Sequence, residues 1–429
     1  MNKFFRSIRG VHDYIPNEVI ILKKIEKILI KVIEQHCFQE IRIPILEFSS
    51  LFTSTIGQGT DIVEKEMYSF IDKSKNFLTL RPEGTVGCVR SVIQNKLIKK
   101  YLDTRLWYLG PMFRYERPQK GRYRQFYQLG LEVFGLSRED IELELLMITY
   151  KWWKKLGIID FVQLEINSIG SVKNRIQYQK KLVNFLKKYE KYLDPNSKKK
   201  LDLNPLGLLD SKNYFIKKIL IRAPKIIDFL DSKYILQFKK LCRLLKIFNI
   251  PFIINKNLVR GLSYYNGIVF EWKNNTLDTQ NTICAGGRYD YLSKKLNNCD
   301  IPSIGLAVGM DRLLLTVKLL NKSKLLNNFT LIDVKIVFLE EIFKLEAIKL
   351  SNNIRIMFPN IKLKVDFFSS NLSKKIKMAL SSQVHIMIII GRREFEKKCV
   401  MVKNLITVSQ KIIPIKKINI FLKNVLNFK

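Results

Sequence analysis

The chain has 429 residues, with 75 lysines and arginines against 38 acidic residues and a formal net charge of +37. Hydrophobic residues make up 47% of it, enough to bury real cores, which excludes a disordered basic protein, and the length implies two or three domains. A field this positive favours a polyanionic partner, most simply nucleic acid or else an anionic membrane surface, although lysine, isoleucine, asparagine and phenylalanine are abundant throughout and point equally to a general compositional bias.

Neither the opening MNKFFRSIRGVHDYIP nor the apolar run Val384 to Ile390 is long enough for a signal peptide or a bilayer span. A cytoplasmic protein with no membrane segment is expected. The cysteines Cys37, Cys88, Cys242, Cys284, Cys299 and Cys399 contain no C-x-x-C pair, so neither a zinc site nor a disulfide framework is expected. With only His12, His36 and His385, a histidine-rich metal centre is excluded and Ser-His or Cys-His chemistry has few candidates. Chemistry falls to Arg, Glu, Gln, Tyr and groups brought by substrates.

In chain order, Asn17 is expected to cap a helix in which Ile21, Ile25, Ile28, Leu29, Val32 and Ile33 recur at helical spacing. IRIPILE (41–47) reads as a strand that Pro44 confines to an edge or interface. MYSFIDKSKNFLTL (67–80) reads as a hairpin, and Thr85 opens a helix. A second hairpin pairs Pro111–Arg117 with Phe126–Phe134 across a basic loop, and Glu139 to Leu156 is helical. From Val172 to Phe248 lysine-rich helical segments replace strand patterns, which return with PFIINKNLVRGLSYYNGIVFEW (251–272). A βα unit, IPSIGLAVGMDRLLLTVKLL, ends at Leu320. Past the polar stretch NKSKLLNN (321–328), DVKIVFL, IKLKVDFF and VHIMIII alternate with helices as in a parallel α/β domain. The expected fold is a multi-domain α/β chain: a mixed core at 1–171 and 251–325, a helical insertion at 172–250, and a small α/β domain at 330–429.

With a period of two, Phe126, Gln128, Gly130, Glu132 and Phe134 share one face of a strand, and Tyr127, Leu129, Leu131 and Val133 share the other. The second face is a core face. The first is either a solvated outer face or a floor on which a ligand lies against the glycine backbone. Arg114 and Glu116 share a face of the neighbouring strand, and an arginine fork suits phosphate. The loop Pro118–Gln125 reads equally as a solvated basic turn or a clamp on phosphates. LRPEGT (80–85) sets Glu83 at a helix start, NLVRGLSYYNG (257–267) sets Arg260 and two tyrosines around a turn, and CAGGRYD (284–290) reads as a glycine-rich loop. None has the spacing of a P-loop or a dinucleotide fingerprint, which argues against an ordinary ATPase or dehydrogenase.

FRYERPQKGRYRQFYQLGLEVFG resembles motif 2 of the class II aminoacyl-tRNA synthetases, IRIPILE resembles motif 1, and IGLAVGMDRL (304–313) resembles motif 3. LRPEGT, LVRGLSYYN and AGGRYD narrow the resemblance to the histidyl-tRNA synthetase family, and it runs over essentially the whole chain. It implies a class II antiparallel catalytic sheet, a helical insertion, a C-terminal anticodon-binding domain and a homodimer with motif 1 in its interface. The substrates implied are L-histidine, ATP with Mg2+ bridging its phosphates, and the histidine tRNA. Arg114 and Arg260 are similar to the catalytic arginines on the α-phosphate, Glu116 and Arg312 to further ATP-binding residues. Glu83, Gly84, Thr85 and Gln128 correspond to the grip on the substrate α-amino group. Glu132, Tyr264 and Tyr265 correspond to the imidazole pocket. Arg117, Gln119 and Arg122 correspond to contacts with the tRNA acceptor end.

Two positions depart from the family pattern. Ser263 stands where the turn usually carries an acidic residue, and Asp311 stands where motif 3 usually carries Glu. The first raises the question of how Arg260 is held, and the second shortens a carboxylate's reach. The main alternative is the synthetase-like regulatory subunit of ATP phosphoribosyltransferase, which generally lacks the anticodon domain and parts of the substrate motifs. An RNA-binding module without chemistry is the other.

Overall fold

The structure, a computed structural model, describes residues 5–57, 59–100, 103–209, 211, 213–276, 281–320, 332–368 and 371–426. The chain divides into two compact units, Met1–Leu325 and Leu326–Lys429. The expected linker 321–328 lies outside the described residues.

The strands of the first unit are β1 Gln39–Glu40, β2 Leu46–Phe48, β3 Tyr68–Ile71, β4 Phe77–Leu80, β5 Thr104–Phe113, β6 Gln125–Phe134, β7 Val162–Ser168, β8 Phe252–Ile254, β9 Asn266–Asn274, β10 Thr282–Arg288 and β11 Ser303–Gly309. Eight of them form one sheet in the order β1-β5-β6-β11-β10-β9-β7-β8, antiparallel except at its two edge pairs. Leu129, Leu131 and Val133 of β6 pack with Ile25 and Leu29 of the helix Pro16–Gln35 and with Trp152 and Trp153 of the helix Asp140–Leu156. That leaves the Gln128/Glu132 face for the site, so β6 is covered on both sides.

The first helix is capped by backbone geometry at Ile15, and Asn17 falls inside its first turn. Pro16 explains the shift, because its fixed φ and missing N–H suit the first helical position. The expected strand 41–47 is split: Gln39–Glu40 joins the main sheet, and Leu46–Phe48 joins a three-stranded sheet β2-β4-β3. Pro44 offers no ladder donor, and the buried Arg81 donates from Nη1 to the carbonyl of Ile43 (2.7 Å) and from Nε to that of Pro111 (2.9 Å) instead. β5 starts earlier than expected and ends at Phe113, so Arg114 and Glu116 lie beyond the strand. The Tyr115 N–H goes to Glu66 O and the Glu116 N–H to Arg114 O, which ends the ladder. CAGGRYD is mostly strand β10, with Gly286 and Gly287 packed between β9 and β11.

Between Val172 and Ile247, within the first unit, every element among the described residues is a helix. The helix Val172–Lys187 opens with a capping box in which the Ser171 hydroxyl accepts from Asn174 N and the Asn174 side chain accepts from Ser171 N. Ser171→Ala is expected to cost about 1 kcal/mol, read as roughly fivefold weaker hydrogen-exchange protection along this helix.

The second unit holds β12 Val334–Phe338, β13 Leu363–Asp366, β14 Ile386–Ile390, β15 Cys399–Asn404 and β16 Ser409–Pro414, in the order β13-β12-β14-β15-β16. The first three are parallel. The antiparallel hairpin β15–β16 was not anticipated. No helix among the described residues is long and apolar enough to cross a membrane.

Candidate active site

One pocket on the main sheet is lined by Glu83, Thr85, Arg114, Glu116, Arg122, Phe126, Gln128, Arg260, Tyr264, Tyr265, Thr282, Asp311 and Arg312, among others. These come from five separate chain segments, around 83–85, 114–128, 260–265, 282–285 and 307–312, gathered on the strand order β5-β6-β11-β10-β9. Gly84 is the N-cap residue of the helix Thr85–Gln94, and Glu132 lies just behind Thr85.

Glu83 is buried, and its carboxylate accepts the helix N-terminal N–H groups of Thr85 (2.9 Å) and Val86 (2.7 Å). Burial raises its pKa, and those two N–H groups oppose the rise. The Tyr264 hydroxyl donates to it at 3.2 Å. Gln128 carries a buried Oε1 with no hydrogen-bond partner among the described residues, an acceptor left for something entering the pocket.

Glu132 is fully buried and accepts three hydroxyls: Thr85 Oγ1 at 2.7 Å, Tyr108 Oη at 3.1 Å and Tyr289 Oη at 2.5 Å. Burial pushes its pKa up to about 8, against the pull of those donors. Tyr108 also corrects an expectation. The space over Gly130 is filled by its phenol, since a Cβ there would lie 2.3 Å from Tyr108 Oη. The glycine admits a neighbouring side chain, not a ligand.

Besides Arg122, three arginines line the same space. Arg114 donates from Nε to the Pro82 carbonyl at 2.9 Å. Arg312 donates to the carbonyls of Gly121 (2.9 Å) and Thr282 (2.8 Å), and its pKa is pushed down to about 10 by burial, with Arg114 and Arg122 adding to the fall. Arg260 pairs through Nη1 with Glu271 Oε1 at 2.6 Å, and the Thr282 hydroxyl donates to the other oxygen of Glu271 at 2.9 Å. Guanidiniums held by fixed carbonyls and one carboxylate are preorganised donors for an anion.

The departures now have structural answers. Ser263 turns toward Ile56, whose carbonyl accepts both its Oγ (2.6 Å) and its N–H (3.0 Å), and Glu271 holds Arg260. Asp311 accepts from the Tyr14 hydroxyl and from Tyr127 N (2.8 Å), so the shorter carboxylate still ties the motif 3 helix to β6.

Sequence reasoning missed Tyr108, Tyr289 and Glu271. Tyr289 follows Arg288, which donates to Glu142 from Nε (2.8 Å) and Nη2 (2.9 Å) and so fixes the end of β10. Of the three residues expected at the tRNA acceptor end, Arg122 is drawn inward by Glu116 and Glu66, while Arg117 and Gln119 are exposed. Among the described residues, no group of His, Cys, Asp and Glu is disposed to hold a metal ion.

The family model of histidyl-tRNA synthetase matches residues 10–313, and that of an anticodon binding domain matches residues 333–424. The histidine–tRNA ligase of Buchnera aphidicola subsp. Schizaphis graminum (strain Sg) is 52% identical over 94% of this chain and 94% of its own. That of Blochmanniella pennsylvanica (strain BPEN) is 43% identical over 99% of this chain and 97% of its own. Among solved structures, the apo histidyl-tRNA synthetase of S. aureus superposes with a TM-score of 0.80 at 30% identity, covering 98% of this chain and 100% of that one. The first unit thus carries the class II synthetase fold and the second matches an anticodon-binding domain. Matched along nearly its whole length, with Glu83, Arg114, Gln128, Arg260 and Arg312 drawn from distant segments into one pocket, the chain belongs to the histidyl-tRNA synthetase family.

Proposed function

We propose that the chain activates L-histidine with ATP to histidyl-adenylate, releasing pyrophosphate, and transfers the histidyl group to the 3′ end of the histidine tRNA. The observation that carries this reading is the meeting of Arg114 and Arg260 in a pocket lined by Gln128 and Thr85, with the buried Glu132 directly behind Thr85.

The histidine carboxylate attacks the α-phosphorus and the bond to pyrophosphate breaks. Negative charge grows on the phosphoryl oxygens, where Arg114 and Arg260 stabilise it without reorganising. Arg312 and Glu116 complete the ATP site, and Mg2+ enters with ATP as part of that substrate. Glu83, Gly84, Thr85 and Gln128 hold the α-amino group. Glu132, with Tyr264 and Tyr265, meets the imidazole, which offers one donor and one acceptor. Arg117 and Gln119 are the solvent-facing pair for the tRNA acceptor end, with Arg122 behind them. We assign 1–171 and 251–325 to the catalytic core, 172–250 to a helical insertion and 330–429 to anticodon binding, in an enzyme of the cytoplasm. The regulatory-subunit alternative is not favoured, because the substrate motifs and the anticodon-domain match are both retained.

A homodimer is supported by the small sheet, one face of which exposes Leu46, Phe48 and Phe70, large apolar side chains of the kind that marks an interface. Sedimentation is expected to give a dimer, and Phe48→Glu to shift it to monomer. Function is tested by ATP–pyrophosphate exchange with each amino acid in turn. Exchange with histidine alone is the expected result, and none with any amino acid from folded protein overturns the reading.

A further inference from the structure

Arg260, Tyr264 and Tyr265 stand on the connection 255–265 between β8 and β9, outside any helix or strand. A pocket wall built on irregular backbone is only as exact as the bonds that hold it. Here those bonds converge on Ser263. Its N–H and hydroxyl both go to the Ile56 carbonyl, at 3.0 and 2.6 Å, and its own carbonyl accepts from Nη1 of Arg175 at 2.9 Å. The approach to Ile56 needs the glycine that follows it: Gly57 has a φ of +102°, and a Cβ there would lie 2.3 Å from Ser263 Oγ. Just past the tyrosines, the Ile169 N–H donates to the Gly267 carbonyl (2.7 Å) and the Gly267 N–H to the Gly170 carbonyl (2.9 Å).

Arg175 lies in the first turns of the helix Val172–Lys187, and Gly170 immediately precedes the Ser171 cap of that helix. The base of one helix therefore grips the tyrosine pair from both sides in sequence. Arg175 is a costly residue to place there. Its Nε is buried with no hydrogen-bond partner, and among the described residues it is in no ion pair. Burial lowers its pKa, and the phenols of Tyr291 and Tyr234, not an acid, oppose the fall. A cation withdrawn from water without a counter-charge costs the fold stability, so packing does not account for it.

We propose that Arg175 is a positioning residue for histidine recognition: by holding the Ser263 carbonyl, it sets the Tyr264 and Tyr265 that follow against the pocket. It is not among the residues that line the pocket and acts only through that carbonyl. Tyr264 reaches Glu83 at 3.2 Å from the backbone so fixed. Arg260 has its own partner in Glu271 at 2.6 Å, so the ATP side is independent of Arg175. The bond goes to a backbone oxygen and is therefore indifferent to the side chain at 263. The proposal rests on the histidine reading above and extends it to a helix outside the pocket.

Calorimetric titration of the full chain with histidine and, separately, with ATP tests it. Arg175→Met keeps an unbranched stem and removes every donor. It is expected to weaken histidine binding about tenfold, the loss of one hydrogen bond from a charged group. ATP binding should stay within about twofold of wild type, and melting within about 2 °C, because an unneutralised cation leaves with the bond. Arg175→Lys is expected to recover most of the histidine affinity, since one carbonyl needs one donor and not the planar fork. An Arg175→Met variant that binds histidine as the wild type does overturns the proposal. So does one that loses histidine and ATP together and melts far lower, the outcome of a merely structural arginine. Pyrophosphate exchange on the wild-type sample separates the two readings. Exchange alongside an unchanged histidine affinity in Arg175→Met sinks the positioning role alone. The expected loss of affinity without exchange in the wild type sinks the enzymatic reading alone, and a wild type that binds no histidine overturns both.

Discussion

Arg260→Ala is expected to slow histidine-dependent ATP–pyrophosphate exchange by about a hundredfold, the ~3 kcal/mol lost when one preorganised donor to a transition-state oxyanion is removed. Glu271 holds the guanidinium at 2.6 Å, and the Thr282 hydroxyl donates to the opposite oxygen of that carboxylate at 2.9 Å. The donor is therefore in place before charge develops. The loss should appear in kcat more than in the histidine KM, because the interaction strengthens only as the phosphoryl oxygens gain charge. Arg260→Lys should recover part of it, since an ammonium supplies charge without the planar fork. Steady-state exchange over a range of histidine concentrations checks this, and a loss of only a few fold would remove Arg260 from the chemistry. The serine at 263 should matter little to rate, because its bonds run to Ile56 and not to Arg260.

Much of the site was legible because period-two alternation is local. Gln128 and Glu132 sit two positions either side of Gly130, and that spacing alone placed them on one face. Glu83 was legible from its place just before a helix start. Glu271 was not, because its role comes from pairing Ala285 opposite it and from a turn eleven residues earlier reaching back to it. Tyr108 was missed because an aromatic in an apolar strand reads as core; it acts through Gly130, the residue across the ladder. Tyr289 stood in a segment whose two glycines suggested a loop, but the glycines serve close strand packing, with the Gly305 carbonyl 2.3 Å from where a Cβ on Gly286 would sit. Adjacent glycines read as flexibility unless the partner strand is known. The early end of β5 was hidden for the same reason, since Glu66, which takes the Tyr115 N–H, lies some fifty residues upstream.

Glu132 should make the stability of the ligand-free protein fall as pH rises. Its pKa in the folded chain is pushed up to about 8 by burial, from 4.5 when the chain is open. Between those values the folded state holds a proton that the unfolded state has lost, so the slope of stability against pH is negative. The contribution is fully present below about pH 4.5 and is lost as pH rises through about 8, to a limit of roughly 5 kcal/mol. Glu132→Gln keeps the shape and an oxygen for the tyrosine and threonine hydroxyls but cannot ionise. Comparing urea unfolding at pH 5.5 and pH 8, the wild type should lose more stability than the variant, and titrating groups remote from Glu132 cancel in the difference. Equal losses would mean that the three hydroxyls hold Glu132 ionised throughout. The same substitution should lower kcat/KM for histidine by about a hundredfold, because a neutral amide replaces a carboxylate as partner to the imidazole and hydrogen bonds to charged groups contribute ~1.5–3 kcal/mol. A group that costs the empty protein stability at neutral pH is then retained for what it does once the imidazole arrives: its donor N–H supplies the favourable interaction that burial withholds from the carboxylate alone.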